Sequence, residues 1–182
     1  MDGALVARAA GGDALAFRRI YERHAPRLFR FLCDLLRDQS AAEEALQETF
    51  VRAHTRLGTL RDPEKVRPWL YGIARLVVME ARRARHGESS LDDDDAGIAE
   101  PASQATPEQA LLGRETGRAL GIALEGLKPE RRAALLLQAD HELPYDEIAE
   151  VMGWSLAKVK VEIHRARVQL RASMAKHLGG KT

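Results

Sequence analysis

The chain has 182 residues and a formal net charge of +1, and 45% of its residues are hydrophobic. This composition suits a folded soluble protein of one large or two small domains. No apolar run approaches the length that crosses a bilayer, and the first residues do not resemble a secretion signal, so we expect a cytoplasmic protein without membrane insertion. The single cysteine, Cys33, cannot form an internal disulfide, and its apolar neighbours predict a buried core thiol.

The small net charge conceals three segments of different character. Residues 1–86 carry 16 basic and 11 acidic side chains, residues 87–108 carry seven acidic and no basic ones, and residues 109–182 carry 12 basic and nine acidic ones. The middle segment is small, polar and acidic without sustained periodicity. The predicted fold is therefore all-α, with two small helical domains joined by a flexible acidic linker.

Helical periodicity dominates the first segment. Apolar residues recur at three- and four-residue steps from Phe17 to Leu35, and Pro26 predicts a kink or a boundary between two helices. Ser40 and Glu43 have the spacing of a capping box that starts the next helix. The residues predicted to be buried in that helix are Ala45, Leu46, Thr49, Phe50 and Ala53.

A third helix is predicted after a loop from Leu57 to Arg67. Pro68 can open it, because a proline suits the first helical turn. The residues predicted to be buried in it are Trp69, Leu70, Ile73 and Val77. Its end is strongly basic, with Arg82, Arg83 and Arg85.

The last segment begins with two further predicted helices. Thr106 and Pro107 supply a cap and a first turn for a helix that reaches about Leu124. Pro129 opens another helix, which contains the leucines at 135–137.

The stretch from Leu143 to Leu170 has the pattern of a helix-turn-helix that binds duplex DNA. Its first helix can begin at Pro144, Gly153 permits a sharp reversal, and Ser155 stands where the second helix needs an N-cap. Val159, Ile163 and Leu170 are predicted to face inward. Lys158, Lys160, Arg165 and Arg167 are predicted to point mostly outward. An ordinary helical hairpin has the same local pattern, but seven of the eight charged residues from 158 to 182 are basic, which favours an anionic partner.

Motifs for catalysis and cofactor binding are missing from the sequence. The histidines and Cys33 lack the spacing of a zinc site, and neither a glycine-rich phosphate loop nor a nucleophile elbow is present. We therefore expect no enzyme activity, no metal, no cofactor and no small-molecule substrate.

Three blocks in order resemble the extracytoplasmic-function group of bacterial RNA polymerase sigma factors. They are AEEALQETFVRAH (42–54), WLYGIARLVVMEARRAR (69–85) and YDEIAEVMGWSLAKVKVEIHRAR (145–167). The resemblance implies a polymerase-binding and minus-ten-recognising domain at 1–86, a linker at 87–108, and a helix-turn-helix domain at 109–182 that recognises the minus-thirty-five element.

The resemblance also implies a surface for core RNA polymerase on the helix that carries the first block. An acidic and amide-rich helical face can pair with arginine-rich helices of a large partner. The residues expected to bind polymerase are Glu43, Glu44, Gln47 and Glu48.

Promoter contacts are implied in both domains. The residues expected at the single-stranded minus-ten element are Arg61, Lys65, Arg75, Leu76, Arg82 and Arg83. Those expected at the duplex minus-thirty-five element are Ser155, Lys158, Lys160, Val161, Glu162, His164 and Arg165. The family often has Asn where this chain has Leu76, and commonly has Ser and Arg where it has Val161 and Glu162. These departures predict an altered sequence preference.

Three further expectations concern a regulatory partner, the acidic segment and other functional classes. Family members are commonly held inactive by an anti-sigma protein, so such a partner is expected. Asp92 to Asp95 is either a soluble spacer or a segment that enters the channel for RNA. Two other classes remain open at this point: a stand-alone helix-turn-helix regulator and a helical protein-interaction adaptor.

Overall fold

The computed structural model describes residues 2–88 and 107–179, and every regular element in those ranges is helical. The helices of the first range are α1 (Asp2–Ala10), α2 (Ala14–Leu36), α3 (Gln39–Arg56) and α4 (Val66–Glu88). Those of the second range are α5 (Pro107–Glu125), α6 (Pro129–Ala139), α7 (Tyr145–Met152) and α8 (Leu156–Gly179). The predicted all-α fold is confirmed. Most of the segment predicted as a linker, with Asp92 to Asp95, lies outside the described residues.

No helix within the described ranges combines the length and the apolar character needed to span a membrane.

The core of the first range is built from α2, α3 and α4. Phe31 and Leu32 of α2 are fully buried, and Phe31 packs edge-on against Tyr71 of α4 at a centroid distance of 5.2 Å. Thr49 of α3 is also fully buried, and its hydroxyl donates to the carbonyl oxygen of Ala45 at 2.6 Å. The amphipathic pattern of the sequence therefore predicted this core correctly.

The sequence pattern missed α1. This nine-residue helix is rich in alanine, so its apolar periodicity is weak, yet Val6 is buried at 2% exposure. Asp13 caps the following helix by accepting hydrogen bonds from the amides of Leu15 and Ala16, both at 3.0 Å. Its pKa is lowered by the hydrogen bond from Ala16 and by the ion pair with Arg8. Helix α1 packs against α2 and α4.

The predicted start of α3 at Ser40 is wrong. Arg37 ends α2 in the left-handed conformation (φ 59°), and its amide donates to the carbonyl of Cys33 at 2.8 Å. Because the chain has already reversed, Asp38 becomes the cap, and its carboxylate accepts from the amide of Ala41 at 3.0 Å. Cys33 packs against this core but is only half-buried, so the predicted buried core thiol is corrected to a partly exposed one.

Two proline predictions also differ from the structure. Helix α2 continues without a boundary across Pro26. Helix α4 begins at Val66, before Pro68, which lies in the first turn, where its missing N–H breaks no helical hydrogen bond. The predicted loop holds two short 3-10 turns, Leu57–Thr59 and Pro63–Lys65.

The second range packs around a leucine-rich α6. Leu135, Leu136 and Leu137 are all buried, and α8 packs against α5, α6 and α7. Helix α7 also packs against α4, and α6 against α2, so the two halves of the chain are in contact. This contact determines which of the predicted site residues are exposed.

Candidate polymerase and promoter interfaces

The helix-turn-helix has the predicted geometry. Gly153 ends α7 in the left-handed conformation (φ 65°), and the amide of Trp154 donates to the carbonyl of Ala149 at 3.0 Å. Ser155 Oγ accepts from the amide of Lys158 at 3.2 Å, which is the N-cap bond predicted for α8. Val159 and Ile163 are buried beneath this turn, at 0% and 1% exposure. The opposite face of α8 is therefore presented outward.

The outward face of α8 carries most of the residues predicted to contact duplex DNA. Val161 is 46% exposed, so its side chain is accessible for a contact with a thymine methyl group. The ammonium group of Lys158 lies 4.4 Å from the ring centroid of Trp154, so a cation–π contact limits its orientation. The other residues of the predicted set that are exposed are Ser155, Lys160, His164 and Arg165.

Glu162 is placed differently from its neighbours on α8. One of its oxygens accepts from Nε of Arg131 on α6 at 2.8 Å, and the other accepts from Nη1 of Arg165 at 2.9 Å. The Glu162 side chain is only 16% exposed, and these hydrogen bonds lower its pKa, with Arg131 as the main cause. The carboxylate thus turns toward α6 and joins it to α8.

The exposed face of α3 carries most of the predicted polymerase-binding residues. Glu43, Glu44 and Gln47 are exposed, whereas Glu48 is half-buried and accepts from Nε of Arg52 at 2.6 Å. Arg52 also contacts Glu80 of α4 at 2.8 Å, and both carboxylates raise its pKa. Glu48 therefore takes part in a bridge between α3 and α4.

An exposed valine on the same face was not predicted. Val51 is 60% exposed and lies one helical turn after Gln47 and two turns after Glu44. An apolar side chain surrounded by polar ones is the usual composition of a protein interface centre. Its helical spacing was visible in the sequence and could have identified it.

The residues predicted at the minus-ten element fall into two groups. Arg61, Arg83 and Leu76 are exposed, and Leu76 is 45% exposed. By contrast, Nη2 of Arg82 donates to the carbonyl of Leu35 at 2.7 Å, which ties the end of α4 to α2. The structure therefore gives Arg82 a packing contact that the sequence did not predict.

Lys65 and Arg75 line a groove between the two halves of the chain. The groove has a volume of about 510 Å³, and Glu150, Val151 and Gly153 of the helix-turn-helix form its other wall. Lys65 Nζ lies 3.5 Å from a carboxylate oxygen of Glu150, and burial lowers the pKa of Arg75. Trp69, predicted as a core residue, is half-buried in the same groove.

Two family models match the chain in order. The model described as Sigma-70 region 2 matches residues 20–87, and that described as Sigma-70, region 4 matches residues 118–170. The RNA polymerase sigma factor YlaC of Bacillus subtilis is 30% identical over 159 residues, covering 86% of this chain and 91% of YlaC. The ECF RNA polymerase sigma factor SigM of the same organism is 32% identical over 159 residues, covering 84% of this chain and 91% of SigM.

The chain belongs to the extracytoplasmic-function group of RNA polymerase sigma factors. A solved structure described as CnrH in complex with the cytosolic domain of CnrY has the same fold, with a TM-score of 0.71 at 25% identity. It covers 100% of this chain and 99% of that one. The predicted resemblance is confirmed, and a sigma factor is favoured over the stand-alone regulator and the adaptor.

In this sigma factor, region 2 and region 4 meet at His141, in the loop between α6 and α7. The Tyr71 hydroxyl of α4 lies 2.9 Å from His141 Nδ1, and a guanidinium N–H of Arg67 donates to the His141 carbonyl oxygen. Phe31 packs edge-on against the imidazole at 5.5 Å. Burial lowers the pKa of His141 to about 4 and raises that of Tyr71 to about 12, so both side chains are neutral at pH 7.

Further polar contacts join the two regions. Arg37 of α2 lies 3.0 Å from Glu125 of α5, and Arg132 of α6 donates to the carbonyl of Leu35 at 3.5 Å. Buried nitrogens of Arg37, Arg67, Arg132 and His141 nevertheless have no hydrogen-bond partner within the described chain. Unsatisfied buried donors cost free energy. These unpaired nitrogens reduce the net stability of the contact between the regions.

Sequence patterns could not reveal this contact. Tyr71 and His141 are 70 residues apart, and each lies in a segment whose local pattern indicates only a helix or a loop. No signal in the sequence distinguishes His141 from the other histidines.

Proposed function

We propose that this sigma factor binds core RNA polymerase and directs it to specific promoters. The observation that carries the proposal is the presence of both exposed faces, α3 and α8, on a chain that belongs to the family along most of its length. The sigma factor acts in the cytoplasm as a non-catalytic initiation factor and uses no cofactor or small-molecule substrate. Its domains are the polymerase-binding domain at 1–86, the linker at 87–108 and the helix-turn-helix domain at 109–182.

The α3 face is the polymerase surface in this proposal. Glu44 and Gln47 supply charged and amide contacts to basic helices of the polymerase, and Val51 supplies an apolar centre. Glu43 lies at the edge of this face. Glu48 holds Arg52, so it supports the surface through packing as well as through its charge.

The promoter surfaces are the loop and α4 for the minus-ten element and α8 for the minus-thirty-five element. Arg61, Leu76 and Arg83 are available on the first surface, while Lys65 and Arg75 become available when region 4 moves away from the groove. On the second surface Lys158 and Lys160 bind phosphates, and Val161 contacts bases.

An anti-sigma protein is the expected regulatory partner. CnrH, which has the same fold, is described in complex with the cytosolic domain of CnrY, and this supports a partner chain for the present sigma factor. Its expected effect is to cover the α3 face or to hold the two regions together.

Initiation in a purified system tests the proposal. Core polymerase and this protein are incubated with a pool of promoter fragments, and the 5′ ends of the transcripts are sequenced. We expect transcripts from a small subset of fragments that share two upstream motifs. Binding to promoters without transcripts would instead indicate a stand-alone regulator, and transcripts without a shared motif would contradict specific promoter selection.

A further inference from the structure

A cationic cavity lies where the first turn of α1 and the middle of α2 meet the start of α4. Its volume is about 370 Å³, and its polar lining consists of Asp2, Arg23, His24, Arg27, Arg67 and Tyr71. The size falls within the range of small-ligand sites. Three guanidinium groups face a single carboxylate, so the cavity favours an anion.

One buried nitrogen of the lining residues, Nε of Arg67, has no hydrogen-bond partner among the described residues. Burial lowers the pKa of His24, which is only 8% exposed, whereas the nearby Asp2 raises it. Because buried polar atoms are almost always hydrogen-bonded, the free Nε of Arg67 indicates an acceptor that the described chain does not supply.

Asp2 already occupies one end of the cavity as an internal anion. Its carboxylate accepts a hydrogen bond from Arg23, and its other oxygen lies 3.4 Å from Nε2 of His24. Arg27, in contrast, makes no hydrogen bond or ion pair with any of the described residues. The internal carboxylate therefore neutralises only part of the positive charge, and the portion near Arg27 and Arg67 is left without a counter-charge.

We propose that this cavity binds a small phosphate-bearing ligand whose oxygens accept hydrogen bonds from Arg27 and Arg67. Guanidinium groups match phosphoryl oxygens in geometry as well as in charge. Arg67 is fixed at the rim because it also donates to the carbonyl of His141, and Tyr71 is fixed by its hydrogen bond to the same residue. The cavity uses the start of α4, but none of the residues assigned to the polymerase or promoter surfaces lines it, and a small-ligand site goes beyond the proposed sigma function.

Titration calorimetry with inorganic pyrophosphate tests this site on the full chain at low ionic strength. We expect one saturable site, with an affinity about tenfold weaker in Arg27→Ala, because one charge-assisted contact is lost. Arg19→Ala is the matched control, since Arg19 is an exposed arginine of α2 outside the cavity, and its affinity should equal that of the wild type.

A gain in affinity provides a second test that misfolding cannot mimic. Asp2→Asn removes the internal anion, so it should tighten pyrophosphate binding about threefold or more. Equal affinities in the wild type, Arg27→Ala and Asp2→Asn would overturn the proposal, as would the absence of saturable binding.

Competition against bound pyrophosphate identifies which class of phosphate-bearing molecule the cavity binds. A nucleoside triphosphate that binds tighter than pyrophosphate and depends on Arg27 would identify a nucleotide ligand, while equal binding would indicate recognition of the phosphates alone. Displacement of pyrophosphate by random-sequence duplex DNA, again dependent on Arg27, would make the cavity a nucleic-acid contact and would overturn the small ligand. None of these measurements requires polymerase, so the sigma function is tested separately.

Discussion

The hydroxyl of Tyr71 lies 2.9 Å from Nδ1 of His141, and this bond joins the helix proposed to bind the minus-ten element to the helix-turn-helix domain. In the same arrangement, Glu150 and Val151 form one wall of the groove that contains Lys65 and Arg75. A promoter strand at that groove would compete with region 4. We therefore expect the two regions to separate when the sigma factor engages polymerase and promoter.

Acid should weaken the contact at His141. Its pKa is about 4 in the folded chain and about 6.5 in an exposed histidine, so the separated state binds more protons between those values. The contact is at full strength above about pH 6.5 and is lost progressively as the pH falls toward 4. Asp140 raises this pKa, whereas Arg27, Arg30 and Arg67 lower it. Energy transfer between dyes on α3 and α8 should decrease from pH 7 to pH 5.

His141→Gln provides the control for that pH dependence. Glutamine can still accept a hydrogen bond from Tyr71, but it does not titrate. The variant should remain closed at pH 5 to a greater extent than the wild type. If both proteins open equally over this pH range, another group controls the transition, and His24, whose pKa is also lowered by burial, would be the next residue to test.

Glu162 should influence promoter selection through Arg165 and Arg131. Glu162→Arg would place a third cation beside two arginines, so it should both destabilise region 4 and change the preferred upstream element. Glu162→Gln is milder and should lower the free energy of unfolding by about 1 kcal/mol. Selection of binding sites from a random library measures the preference, and thermal unfolding measures the stability.

Arg131→Met is the matched variant for this prediction. If Glu162 acts by orienting Arg165, then Arg131→Met should shift the preference in the same direction, and the double variant with Glu162→Gln should add little. Additive effects of the two substitutions would show that Glu162 contacts the promoter directly.

The α3 face should lose its affinity for core polymerase when its apolar centre is charged. Val51 is 60% exposed, so Val51→Asp leaves the core of region 2 intact while it introduces a charge at the centre of the proposed interface. We expect affinity for core polymerase to fall about tenfold or more, measured by co-purification or fluorescence titration. Glu43→Gln, at the edge of the face, should lower the affinity to a smaller extent. Equal loss in both variants would contradict an interface centred on Val51.

Substitutions at Glu48 affect this face in two ways. Gln47→Ala with Glu48→Arg should also weaken polymerase binding, but Glu48 holds Arg52, which contacts Glu80. Part of that loss would therefore come from the bridge between α3 and α4. Gln47→Ala alone avoids this complication, because Gln47 is exposed.

Two residues on α8 should affect DNA binding in different ways. Lys158→Ala should weaken binding to all sequences and reduce the salt dependence by about one phosphate contact. Val161→Ser should change the preferred base at one position and leave the salt dependence unchanged. Anisotropy titrations at several salt concentrations distinguish the two. A change in salt dependence for Val161→Ser would argue against its assignment as a base contact.

Local features of the fold could be predicted from the sequence. The turn at Gly153 and the cap at Ser155 depend on neighbouring residues only, and both are as predicted. The predicted cap at Ser40 failed because Arg37 adopts a left-handed conformation that glycine or asparagine usually takes, so the end of α2 gave no recognisable signal.

Contacts between residues that are distant along the chain could not be predicted from the sequence. Glu162 and Arg131 are 31 residues apart, and nothing near either residue indicates that the carboxylate turns toward α6. The exposure of Leu76 could be predicted from helical periodicity, whereas the role of Arg82 at the end of α2 could not. The exposure of a side chain can be predicted from the local sequence pattern. Its hydrogen-bond partner on another helix depends on how the helices pack.

Transcription from one selected promoter with altered spacing tests the central claim of a bipartite promoter reader most directly. Insertion of about five base pairs between the two upstream elements rotates one by half a helical turn relative to the other. With core polymerase and this sigma factor, we predict transcripts from the native spacing and a loss of most of them from the lengthened promoter. Equal transcription from both promoters would contradict the claim that regions 2 and 4 read two elements together.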